Sequence, residues 1–407
     1  MSLACIPMLT ACNSGKKVAA LICLHGRAST YDKNFIEAFE QAAKNKGLTE
    51  NDYVIVTDIP EEEECYNKAA EFADAGYKAV FADSFGHGKF MAKAAAEYKD
   101  TQFYHATGTG TSVECPANFH NAFASIYEGR YLAGYTAGLL LNTMRDKAVD
   151  KNFKVGYVGA YTYAEVISGY TAWFLGLQSA LTEGYTATMD VLFTGSWYDE
   201  AGEKEAANTL IKDHKAVLIS QHADSMGAPT ACDEKGIPDV SYNGSTGKDT
   251  LVAYSKINWV PYFEMMIDAA QGGEAVAKDW TGTIATGSVQ WALGNKIAEG
   301  TEAKVKAVEA ELKAGTRKVF DCSTFTVTIT PPSGAEGDFG INTNATVDEN
   351  GHLTAYQADV QDDGKYIGDT NVIKTEGGIT YFDESTFRSA PYFDIQIDRI
   401  NLLNAKF

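Results

Sequence analysis

Apolar runs of strand length alternate with stretches of helical periodicity along most of this chain. Residues 17–24 (KVAALICL) are almost continuously apolar, as a strand covered on both faces must be. Residues 34–45 then carry Phe35, Phe39 and the Ala42-Ala43 pair at helical spacing. Strands are expected again at 53–58, 78–82 and 101–106, with helices at 61–76 and 89–98 between them. This βαβαβ order predicts a parallel sheet with helices on both faces. A Gly/Thr/Ser stretch at 108–112 and Pro116 interrupt the pattern, and one long helix is expected over 118–141. A second series follows, with strands at 154–160, 188–194, 216–221, 240–242 and 251–254 and helices at 165–181, 200–212 and 229–235. Two successive series of similar length imply two similar α/β lobes. In parallel sheets ligands bind beyond the carboxyl ends of the strands, so facing lobes share one cleft.

The pattern changes near residue 324. Thr, Gly, Asn and Asp dominate short alternating runs, and Asp348-Glu349-Asn350-Gly351 is a hairpin turn signal. The expected division is therefore 16–113 with 256–286 as the N-terminal lobe, and 114–255 with 287–407 as the C-terminal lobe. The latter includes a small antiparallel β appendage over about 324–385, closed by a last strand within 393–403. Passages between the lobes are expected near 107–115, 254–256 and 283–289.

Residues 1–15 stand apart as a signal-peptide remnant, a lipobox and a tether. Leu9-Thr10-Ala11-Cys12 has the lipobox pattern at which bacterial lipoprotein precursors are cut, which predicts a lipid on Cys12. A short polar tether follows it. A protein so processed works outside the cytoplasm, anchored to the cell membrane rather than spanning it. Among 407 residues, 54 are acidic and 34 basic, a net charge of -20 that excludes nucleic acid as a partner. None of the seven cysteines forms a C-x-x-C pair, and with Cys5 removed and Cys12 lipidated the remaining five read as isolated thiols. The histidines lack metal-ligand spacing, and no P-loop, G-x-S-x-G or G-x-G-x-x-G is present, so neither a metal nor a cofactor is expected.

The strand ends carry aromatic, amide, hydroxyl and carboxylate groups. Asp32, Asn34 and Phe35 follow the first strand, with Asp32 placed to cap the helix, and Ser84, Phe85 and Gly86 follow the third. Trp197, then Gln221 and Asp224, end strands of the second series, and Asn258-Trp259 opens a later helix. Flat rings from two lobes with polar groups at the rim suit a planar polar heterocycle, held by stacking and oriented by hydrogen bonds.

Several of these stretches carry a family resemblance. Asp32-Lys33-Asn34-Phe35 is close to D-K-S-F, and Ala82-Asp83-Ser84-Phe85-Gly86 comes next. Residues 126–134 (IYEGRYLAG), 165–169 (EVISG) and 172–176 (AWFLG) follow, then 195–199 (GSWYD), 221–225 (QHADS) and 258–262 (NWVPY). In this order they make the chain resemble, from about residue 17 to 320, the BMP family of substrate-binding lipoproteins, which includes purine nucleoside receptors of ABC transporters. The resemblance implies a type I periplasmic-binding fold: two Rossmann-like lobes with parallel sheets, joined by three hinge crossovers. It also implies that Phe35 and Trp197 sandwich the purine, with Asp32, Asn118 and Gln221 at its edge or sugar. Where the family places a ribose-binding Asp this chain has Asn243, and Asn258-Trp259 falls near the family's Lys, which leaves a free base open as the ligand. The expected role is a non-enzymatic, monomeric receptor that delivers a purine nucleoside or base to ABC permease subunits. Alternatives are a sensor ectodomain for the same ligand, or a nucleoside hydrolase or phosphorylase.

Overall fold

The computed structural model describes residues 16–109, 115–335, 339–361, 364 and 370–404, so Cys12 and its tether lie outside the described residues. The first lobe contains β1 (Ala19–Ile22), α1 (Thr30–Asn45), β2 (Tyr53–Val56), α2 (Glu63–Asp74), β3 (Ala79–Ala82), α3 (Gly88–Glu97), β4 (Gln102–Ala106) and β5 (Phe119–Ala124). Later in the chain, α8 (Val260–Ala270) and β11 (Asp279–Gly282) return to it. Its sheet runs β11-β5-β4-β3-β1-β2, parallel throughout. Every residue of β1, β3 and β5 is buried, which is why these strands read as apolar runs rather than alternating ones.

The second lobe contains α4 (Ile126–Leu141), β6 (Asn152–Gly159), α5 (Ala164–Ala180), β7 (Thr186–Phe193), α6 (Glu200–Lys212), β8 (Ile219–Gln221), α7 (Gly227–Lys235), β9 (Asp239–Tyr242) and β10 (Leu251–Ile257). It also holds β12 (Val289–Leu293) and α9 (Thr301–Lys313). Its sheet runs β12-β10-β9-β8-β6-β7-β17, where β17 (Ile400–Leu402) comes from the far end of the chain. Only β12 is antiparallel to its neighbour. Helices α4 and α5 are apolar almost all round and pack backbone against backbone. A Cβ on Gly134 would overlap the Trp173 carbonyl oxygen, and one on Gly176 that of Tyr131. The glycines of residues 126–134 and 172–176 thus serve helix packing.

The helix expected over 118–141 is two elements. Residues 119–124 insert as β5 between β4 and β11, and the helix starts only at Ile126. The first passage between lobes therefore lies at Ser125 rather than near 107–115. The others lie at Asn258-Trp259, between β10 and α8, and at 283–288, between β11 and β12. Hydrogen bonds bind the three together: the Ser125 N–H donates to Gly282, and the Asn258 N–H to Ser288.

Beyond α9, two antiparallel hairpins form the appendage. β13 (Ala345–Val347) pairs with β14 (Leu353–Tyr356) across the expected turn, and β15 (Ile373–Glu376) pairs with β16 (Ile379–Phe382). The second turn is Gly377-Gly378, both at positive φ, as a two-residue hairpin loop requires. The strand expected within 393–403 is only three residues long and is parallel to β7, so it extends the lobe's sheet. Cys23, Cys65, Cys232 and Cys322 are buried thiols outside any disulfide. No helix among the described residues is long and apolar enough to cross a membrane.

Candidate functional site

A cavity of about 790 Å³ opens between the carboxyl ends of the two sheets. From the first lobe it receives Tyr31, Asp32, Ser84, Phe85, Thr107 and Thr109; from the second, Tyr163, Glu165, Trp197, His222, Asp224 and Tyr242.

Each is held by local structure. Ser29, not Asp32, caps α1: its side chain accepts the Asp32 N–H at 3.1 Å. The Asp32 carboxylate instead reaches back to the His25 N–H at 2.7 Å. Tyr31 donates its hydroxyl to the Asp83 carbonyl at 2.7 Å. Asp83 is fully buried, with one carboxyl oxygen accepting the Leu24 N–H and the side chains of Cys23 and Asp32 beside it. Burial, reinforced by the charge of Asp32, raises its pKa well above the usual carboxylate range. Burial also raises the Cys23 thiol beside it. The ligand atoms of Cys23, Asp32 and Asp83 lie within 4.8 Å of one another in this buried cluster.

In the second lobe, His222 bonds Glu165 at 2.8 Å, and Tyr242 reaches the same carboxylate oxygen at 3.4 Å. The Arg130 guanidinium lies 3.5 Å over the Tyr242 ring. Burial raises the Glu165 pKa, but His222 and Arg130 more than offset it, so Glu165 sits below its ordinary value. Burial raises Asp224 well above its own, with Asp32 adding to the effect. Its carbonyl accepts both the N–H and the hydroxyl of Thr30, a direct link between lobes. Phe85 of one lobe stacks on Tyr163 of the other at 5.1 Å, and Trp197 lies 6.0 Å from Tyr163. The site therefore offers rings from both lobes with carboxylates between them. Stacking on these faces and hydrogen bonding to the acids is the chemistry it can perform.

Of the residues expected here, Asp32, Ser84, Phe85, Trp197 and Asp224 meet at the cavity. The others do not. Phe35 is 0 % exposed and stacks on Trp259 at 4.6 Å inside the α1/α8 core, because the face of α1 that carries Phe35 and Phe39 packs on α8. Asn34 donates to the Ile257 carbonyl at the second passage. Gly86 packs against Glu61, whose side chain would overlap a Cβ there. Asn118 precedes β5, at the amino end of the sheet, and donates to the Tyr98 and Thr101 carbonyls. Gln221 braces its own loop through Ala223 and Ser225. Asn243 takes a positive φ in a buried turn, and Asn258 bonds Gly287 across the passages. Tyr31, Tyr163, Glu165, His222 and Tyr242 are the residues the sequence reading missed as site groups. Tyr31 lies one helical turn before Phe35, and this was the available signal.

A third set of lining residues comes from the appendage: Phe339, Thr343, Asn344, Tyr356, Arg388 and Asp394 among them.

The family model described as ABC transporter substrate-binding protein PnrA-like matches residues 21–319. A putative ABC transporter glucose-binding protein of Haloferax volcanii is 29% identical over 248 residues, 60% of this chain and 59% of that protein. The chain thus spans less than two thirds of that relative's length. A purine-binding protein of Brucella abortus is 31% identical over 262 residues, 62% of this chain and 70% of that one. Among solved structures, a solute-binding protein of an ABC transporter system from Aeropyrum pernix superposes with a TM-score of 0.60 at 14% identity, covering 74% of this chain and 93% of that one. One from Conexibacter woesei gives 0.57 at 20%, covering 74% and 97%. These likenesses establish the fold: two α/β lobes of the periplasmic-binding type.

Proposed function

This chain belongs to the PnrA-like family of ABC transporter substrate-binding proteins, and on that premise we propose that it captures a purine nucleoside or purine base in the interlobe cavity. The loaded protein delivers its ligand to permease subunits outside the cytoplasm, held at the membrane by a lipid on Cys12. The observation that carries the reading is the set of rings facing one cavity from both lobes: Tyr31 and Phe85 on one side, Tyr163, Trp197 and Tyr242 on the other. A purine is planar and presents two π-faces, and each stacking ring contributes about 1–3 kcal/mol. Asp32 and Glu165 accept hydrogen bonds from ring or sugar donors. A ligand that touches both lobes at once favours the closed arrangement, because only there are all contacts made. The family model is that of substrate-binding proteins, and the Aeropyrum pernix and Conexibacter woesei structures are named solute-binding proteins, in keeping with capture and release.

The relative named for glucose binding favours a second reading, a hexose whose hydroxyls would meet the same carboxylates. Calorimetry separates the two. Titration with inosine, adenosine, guanosine, hypoxanthine and D-glucose is expected to give saturable binding for at least one purine and none for glucose. Glucose binding with no purine binding overturns the proposal.

A further inference from the structure

The family model ends at residue 319, yet the cavity does not end with it. We propose that the C-terminal appendage is a third wall of the binding site, and that Phe339, Thr343 and Asn344 contact the hydroxylated part of the bound solute. This rests on the reading of the cavity as a solute site.

Three observations support it. The wall is built, not draped. Ile341 and Thr330 exchange both backbone hydrogen bonds, at 3.0 and 2.8 Å. Between them and Thr343, Asn342 donates to the Thr328 and Gln396 carbonyls and accepts the Gln396 N–H. Asn342 is thereby committed to structure, and Thr343 and Asn344 continue the chain along the cavity.

The appendage is also fixed to both lobes. Glu384 accepts the Ser168 hydroxyl of α5 at 3.0 Å, and Ser389 bonds Asp279 of β11 and Asn121 of β5. A segment held on both sides of the cleft stands beside whatever fills it.

Its chemistry complements that of the lobes. The lobes supply most of the rings, whereas the wall adds the Thr343 hydroxyl, the Asn344 amide and the Tyr356–Asp394 pair, whose hydroxyl and carboxylate are 2.5 Å apart. Asn243, the residue standing where a sugar-binding acid was expected, is buried in a turn and is not among the residues that line the cavity. The wall therefore adds polar groups for a sugar to those that Asp32 and Glu165 present from the lobes. Phe339, 79 % exposed at the rim, gives that end an apolar edge.

The test compares wild-type protein with Phe339→Ala and with the double variant Thr343→Ala/Asn344→Ala. These are exposed or half-buried positions, and thermal melts check that the fold survives. Inosine and hypoxanthine are the probes, since they share a base and differ by the ribose. The double variant is expected to weaken inosine about tenfold, the loss of one or two hydrogen bonds, and to leave any hypoxanthine affinity within about twofold. Phe339→Ala is expected to act in the same direction. An unchanged inosine Kd, or equal losses for both probes, overturns the wall as a sugar contact. Failure of the purine reading shows separately, as wild-type protein that binds D-glucose and neither purine. The same variants are then titrated with D-glucose: a weakened Kd supports the wall, and an unchanged one overturns it.

Discussion

Replacing Phe35 by alanine should damage the fold and largely spare the site. The ring is fully buried, and its neighbours are Trp259 at 4.6 Å, Tyr31 at 4.9 Å, Phe81 at 5.7 Å and Phe263 at 6.4 Å. Truncating a core Phe costs about 3–5 kcal/mol through lost burial and the cavity left behind. Several ring partners, each worth about 0.5–1.5 kcal/mol beyond area, place this position toward the upper end, near 4 kcal/mol. With a urea m-value of about 3 kcal/mol/M, the unfolding midpoint should fall by roughly 1.3 M. Under native conditions the inosine Kd should rise less than about tenfold, through the slackened packing of Tyr31 alone. Trp197→Ala should show the reverse. Its ring is half-buried at the cavity, so the midpoint should move little while the Kd rises by about 5- to 150-fold, the equivalent of about 1–3 kcal/mol. A Phe35→Ala protein with the wild-type midpoint and no inosine binding would refute this reasoning and return Phe35 to the ligand.

Other consequences are as direct. Asp32, Glu165, Asp359 and Asp394 line the cavity against Arg388 as the one Lys or Arg on its described wall, so inosine 5′-monophosphate should bind at least about a hundredfold more weakly than inosine, and calorimetry giving equal affinities would refute it. Gly134→Ala should lower the melting temperature, because the new methyl meets the Trp173 backbone and forces α4 from α5 at a cost of about 1–3 kcal/mol; an unchanged melt would show that the helices yield freely. Burial lifts Glu384 from 4.5 to about 8, so the folded protein keeps a proton that the unfolded chain has already lost. Its contribution is complete below about pH 4.5 and falls away as pH rises to about 8. Glu384→Gln should therefore flatten the decline of melting temperature between pH 5 and 8, and parallel curves for the two proteins would refute the assignment.

Most strands of both sheets were legible because parallel sheets bury both faces, and a run as apolar as 17–24 fits little but a strand covered on either side. Residues 119–124 were not. Phe119, Asn121 and Phe123 share a face of β5, but the run continues without a turn signal into the apolar α4 and reads as its first turns. Short β11 shows the same difficulty, with a half-polar sequence given meaning only by pairing with β5. At the site, Asp32, Ser84, Phe85, Trp197 and Asp224 were reachable because each closely follows a strand, where topology alone directs it to the cleft. The choice between Tyr31 and Phe35 was not local. Both lie on one face of α1, and α8, more than 200 residues later, decides which ring is covered. Asn118 was misplaced for a related reason: with β5 read as helix, its position at the amino end of a strand was invisible. The appendage carries little periodicity, so its arrival at the cavity could not be read from the chain.

That arrival raises a mechanical question, since a wall tied to both lobes could lock the cleft. The anchors answer it by their position. On the second lobe the appendage is integral: β17 is a strand of that sheet, and Glu384 holds α5. On the first lobe Ser389 holds Asn121 and Asp279, each four residues before a passage between the lobes, Ser125 and Thr283. Any rotation of one lobe against the other turns about these passages, where displacement is smallest. Ser389 can therefore keep its partners through a swing that moves Phe85 and Trp197 well apart. In such a swing the wall would travel with the second lobe, to which β17 and Glu384 fix it.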